Sequence, residues 1–152
     1  MLWRDCRILP MEPAKAFAAV ALAAVSWDGV LTMAGTRTLR HALDYRVPFR
    51  AMGDGDMIAL MDELLRQLRS VGAEGLMQAA APNLSAPQRL TAFAMAAEIM
   101  RSDGPLQAEE RLILEHLAGS LAIAPDTVAR ILEVMDLLHA AVLEEGAPEQ
   151  PG

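Results

Sequence analysis

One sequence feature constrains this chain most: part of it is written twice. Shifted by 75 residues, the stretch 16–44 falls on 91–119. Ala19/Ala94, Ala21/Ala96, Asp28/Asp103, Gly29/Gly104, Leu31/Leu106, Leu39/Leu114 and His41/His116 are then identical. The identities centre on one dipeptide, Asp-Gly. Each copy reads as an apolar helix, an Asp-Gly turn and a second helix. The period is too long for a solenoid of short units, and a duplicated helical hairpin fits it. The repeat also settles how to read Ala16–Val25, the longest apolar run, which lies behind Arg4, Arg7 and Lys15. Such a run imitates the apolar region of a signal peptide, although Asp5, Pro10, Glu12 and Pro13 interrupt the basic leader. Its counterpart Thr91–Met100 sits in mid-chain, so both are expected to be core helices. No apolar run reaches the ~18 residues that would span a bilayer, and membrane insertion is not expected.

Strand signals are nearly absent. Aromatic residues make up 4% of the chain, and no stretch alternates cleanly. Alanine supplies 28 of 152 residues, and helices are predicted over 14–27, 33–44, 56–70, 73–80, 86–101, 108–122 and 125–143. The expected fold is therefore all-α: a single-domain bundle of about seven helices built from two related helix–(Asp-Gly)–helix halves. Residues 1–13 form an N-terminal arm, 14–143 the helical domain and 144–152 a flexible tail. Ser85 with Gln88 spells a capping box, with Pro87 in the first turn. Thr32 is a candidate N-cap, Asp54 or Asp56 another, and Pro125 suits a first turn. In the last helix Val128, Ile131, Leu132, Met135, Leu138 and Val142 form one stripe. Ile58, Met61, Leu64, Leu65 and Leu68 form another in the third. Ala16–Val25 has no polar face, and Thr91–Met100 has only Thr91 and Glu98. Helices apolar all round belong in the middle of a bundle, so these two are expected to form a central pair.

A core of this size needs no metal or disulfide, and one cysteine, Cys6, permits no internal disulfide framework. The net charge of -7 argues against general nucleic-acid binding. Arg37, Arg40, Arg46 and Arg50 make a local basic patch, which Asp44 interrupts. Walker, dinucleotide and nucleophile-elbow motifs are missing from the sequence. The acidic residues concentrate in the last third, which could meet a basic protein partner.

The segment from Asp103 to Glu110 carries the best candidate chemistry. Its spacing matches the second half of an EF-hand loop: Asp103, then the turn glycine Gly104, the aliphatic Leu106 and a closing carboxylate, Glu110. The first half fails, because the remaining ligand positions fall on Ile99 and Arg101 inside a predicted helix. Calcium takes about six to eight oxygens, so a calmodulin-like sensor is excluded by ligand count. A weak calcium or magnesium site would need Asp28 and Asp103 brought together, with Glu110 or Glu109 adding oxygens. The alternative needs no metal. Asp-Gly is a turn dipeptide, Gly104 can end one helix, Asp103 can cap the next, and Glu109 and Glu110 suit its first turn. His41 and His116, equivalent in the repeat, are weaker ligand candidates without metal-site spacing. Glu98 is expected to pair with Arg101. A buried cluster of Glu98 with His116 or His139 would instead point to an enzyme.

The sequence from Ala94 to Glu110, followed by Leu112, Leu114 and the run Leu117–Ile123, resembles the TerB-like family. This family includes tellurite-resistance proteins and a region attached to some membrane-anchored DnaJ co-chaperones. The resemblance covers about residues 14–143. It implies an all-helical fold of two related halves and a cytoplasmic, non-enzymatic role in bacterial tellurite or metal stress, with protein partners. By position, the family's acidic residues fall on Asp28, Asp103 and Glu110, where they would bind a divalent cation. Gly35 stands where the first copy should carry a glutamate, and no His-Pro-Asp signature occurs. A purely structural, co-chaperone-like interaction domain without metal is the other reading.

Overall fold

The computed structural model describes residues 11–27, 33–101 and 104–142. These residues are helical, with no strand among them. Six α-helices follow one another: α1 (Pro13–Val25), α2 (Met33–Asp44), α3 (Asp54–Ala80), α4 (Ala86–Arg101), α5 (Ala108–Ser120) and α6 (Pro125–Leu138). Short 3-10 turns at Phe49–Ala51 and Ala81–Asn83 flank α3. Segments predicted separately at 56–70 and 73–80 form the single element α3, which makes six helices here instead of about seven. It is broken internally at Gly72, whose φ of 76° and ψ of 173° are not helical. Backbone of that kind is open essentially to glycine alone.

Helix α1 is the centre of the bundle. Ala16 and every residue from Ala18 to Ala24 are buried. Pro13 opens the helix without losing a bond, since first-turn N–H groups have no intrahelical acceptor. Ser26 closes it, its hydroxyl donating to the Leu22 carbonyl at 2.6 Å, so that the buried serine is satisfied. Helix α3 packs along one side of α1 and α4 along another. The two apolar helices of the repeat therefore lie directly together in the core. Two of the matched pairs share burial, Ala21 with Ala96 and Leu39 with Leu114, whereas Ala19 is buried and Ala94 only partly so. The largest buried side chain is Phe93 of α4.

The capping box before α4 forms as expected. Gln88 Oε1 accepts the Ser85 N–H at 2.8 Å, and the Gln88 N–H donates to Ser85 Oγ at 3.3 Å. Pro125 likewise opens α6. Other expectations need correcting. Gly53, not Asp54 or Asp56, holds the N-cap position of α3, and both acids lie inside the first turn. There they face the positive end of the helix dipole, and Asp54 Oδ1 also takes a hydrogen bond from Arg40 at 3.3 Å. The buried stripe of α3 runs through Met57, Met61 and Leu64, which leaves Ile58 exposed. Thr32 lies outside the described residues.

Helix α6 departs furthest from expectation. It ends at Leu138, and Met135 is its one buried residue. Val128, Ile131 and Leu132 are partly buried against the core. Leu138 and Val142, predicted to continue that stripe, are 62% and 99% exposed. Periodicity shows that an apolar face exists, but only a neighbouring element can cover it, and beyond Met135 none of the described elements does.

Candidate functional site

Of the carboxylates singled out by the repeat and its Asp-Gly turns, Glu109 and Glu110 lie among the described residues. Asp28 and Asp103 lie outside the described residues. Glu110 is partly buried at the start of α5. One of its carboxylate oxygens accepts the Gln107 N–H at 2.9 Å, the reciprocal half of a capping box with Gln107 at the N-cap. The residue expected to close a cation loop is thus engaged in capping the start of its own helix, and Gln107 holds the N-cap place expected for Asp103. Gly104 has φ 130°, and its N–H donates to the Arg101 carbonyl at 3.1 Å, as befits a residue leaving a helix. Glu109 is exposed beside Glu110. Among the described residues, no three His, Cys, Asp or Glu side chains converge as metal ligands.

The histidines have separate surroundings. His41 is exposed on α2. His116 of α5 lies against Trp27, with ring centroids 5.0 Å apart and planes inclined by 57°. Its Nε2 is 3.6 Å from Glu74 Oε1 of α3. This contact ties the residue after α1 to α3 and α5. His139 ends α6, and its Nε2 is buried without a hydrogen-bond partner among the described residues.

Glu98 does not pair with Arg101. The Arg101 side chain is largely buried, and its Nε donates to Asp136 Oδ1 of α6 at 3.0 Å. The closer partner comes from a helix packed alongside, which sequence spacing within α4 could not reveal. Glu98 faces a groove instead.

That groove, with a volume of about 580 Å³, lies between α4 and α6. The helices run in the same direction along it. Leu90 and Thr127 share one end, and the Arg101–Asp136 pair marks the other. Ala94, Met95, Ile131 and Met135 form an apolar floor, Leu90 and Val134 the walls. Arg46, Glu98 and Arg130 supply charge at the edges. Beyond the groove the face of α6 stays apolar, with Leu137 73% and Leu138 62% exposed. A second hollow of about 720 Å³ adjoins it, lined by Pro13, Phe17, Tyr45, Val47, Phe49 and Pro87 among others. Arg46 and Thr91 border both. The Arg46 guanidinium lies over the Tyr45 and Phe17 rings at 5.3 and 5.8 Å. Its Nε is buried and has no hydrogen-bond partner among the described residues.

Sequence reasoning passed over this surface. The signal was available in the apolar residues that fall off the α6 stripe, Val134 and Leu137. A helix with more apolar faces than one core can cover has something left to dock.

No family model matches the chain, and no curated protein or solved structure is significantly similar to it. No helix among the described residues is long and apolar enough to cross a membrane.

Proposed function

We propose that this chain is a non-enzymatic protein-interaction module of the TerB-like type, serving a cytoplasmic stress response in bacteria. The groove between α4 and α6 is its docking face. The observation that carries this reading is the uncovered apolar surface running from that groove across Val134, Leu137 and Leu138. Exposed apolar patches bounded by polar residues mark places where a protein partner binds. The open groove suits a peptide or helix, whose apolar side chains recur every three or four residues. The shared burial of Ala21 with Ala96 and of Leu39 with Leu114 supports two related halves. The bond from the Gln107 N–H to Glu110 supports a module whose Asp-Gly turns end and begin helices without a cation.

The test is co-purification of partners from the native cell, with and without millimolar calcium. Val134→Asp and Leu137→Asp should abolish capture, while Ile58→Asp, a control on another exposed apolar residue, should leave it intact. Capture that survives both groove substitutions refutes the docking face. The cation reading is tested separately by amide NMR during calcium titration. Saturable shifts at Asp28, Asp103 and Glu110, lost in Glu110→Gln, would restore it, because glutamine keeps the capping bond but removes the charge.

A further inference from the structure

The surface contains a clue to what first occupies it. The chain enters the bundle at the rim of the second hollow. Pro13 and Ala14 line that hollow, and Met11 is already packed against the core. Whatever precedes Met11 therefore starts beside the joined hollows.

The preceding residues have fitting chemistry. Residues 1–10 read Met-Leu-Trp-Arg-Asp-Cys-Arg-Ile-Leu-Pro. Trp3, Ile8 and Leu9 are apolar groups of the size such hollows take. Arg4 or Arg7 can meet Glu98, which is partly buried in the groove and has no ion pair among the described residues, while the other two charged residues of the groove, Arg46 and Arg130, call for acceptors. Asp5 and the carbonyls of an extended backbone can accept from Arg130 and from Arg46, whose buried Nε has no hydrogen-bond partner among the described residues. A buried donor without an acceptor is rare enough in folded proteins to require an explanation. Reach is sufficient: ten extended residues span roughly 33 Å. The Gln88–Glu98 stretch of α4 that borders both hollows is about 15 Å long at the helical rise.

We propose that residues 1–10 bind as an extended strap across the two joined hollows, occupying the groove until a partner of similar apolar character, with charges of both signs, displaces them. This rests on the reading of the groove as a docking face, and it names both the first occupant and the chemistry of the second.

The chain lends itself to a direct test, because Cys6 is the one cysteine of these 152 residues and lies within the strap. A nitroxide is placed on Cys6 and a second on Glu133→Cys, an exposed position of α6. Electron–electron double resonance then reads the distance between them. A single narrow distribution is expected, unchanged when labelled chains are diluted with unlabelled ones. Val134→Asp and, independently, Glu98→Lys should broaden it while the circular dichroism spectrum stays the same. A broad distribution in the unsubstituted chain overturns the proposal. A narrow one that ignores both substitutions places the arm elsewhere and also overturns it, as does one that disappears on dilution, which would mean a second copy in the groove. The two readings can fail apart. Groove-dependent partner capture with a broad distribution removes the strap and keeps the docking face, and a narrow, groove-dependent distribution with groove-independent capture does the reverse.

Discussion

Ala122 should be better as glycine. It follows α5 with φ 57°, in the left-handed region. The Ile123 N–H donates to the Ala118 carbonyl at 2.9 Å, and the Ala122 N–H to Gly119 at 3.2 Å. This is the Schellman arrangement, whose left-handed position is usually glycine. An L-residue in that conformation costs roughly 1–2 kcal/mol. Glycine removes that cost but gives back about 0.5–1 kcal/mol through its freer unfolded chain. Ala122 is exposed, so the lost methyl group takes little packing with it. The expected net gain for Ala122→Gly is about 0.5–1 kcal/mol. For a chain of this length that corresponds to a rise in Tm of about 1–4 °C. Urea unfolding followed by circular dichroism at 222 nm measures the change, and Ala122→Val should lose stability in the same assay. A glycine variant no more stable than the parent would mean that the helix end carries no strain, and the reasoning would fail.

Gly72 is the reverse case. Gly72→Ala has open space for its methyl group but the wrong backbone, and should cost about 1–3 kcal/mol, read as a lower urea midpoint at unchanged m-value. Glu110→Ala removes the capping bond to Gln107 and should cost about 1 kcal/mol, whereas Glu110→Gln should keep most of it. Phe93→Ala empties the largest buried position, with an expected loss of about 3–5 kcal/mol in chemical denaturation.

Much of the fold was legible because local chemistry decides it. Ser85 and Gln88 satisfy each other's backbone N–H groups whatever surrounds them. A helix without a polar residue, Ala16–Val25, has nowhere to go except the interior. Gly72 sits between the two helical segments read from the sequence, and it is where α3 breaks. What escaped depends on partners far along the chain. Asp136 takes Arg101 away from Glu98 across 35 positions, and Glu74 and Trp27 determine the surroundings of His116. The stripe on α6 was read correctly as apolar and wrongly as covered, since spacing identifies a face without saying what lies opposite. The groove was missed for the same reason. Asp28 and Asp103, on which the cation reading turns, lie outside the described residues.

The alanine spine of α1 has a consequence for how such a chain can diversify. Side chains that stop at one methyl group bring backbones together and leave little to trim along α1 itself, and enlarging the middle by trimming neighbours such as Phe93 costs several kcal/mol of stability. Novelty is acquired more cheaply at the periphery. There, exchanges at Val134, Leu137 or Leu90 can retarget the molecule while the axle on which everything turns stays untouched.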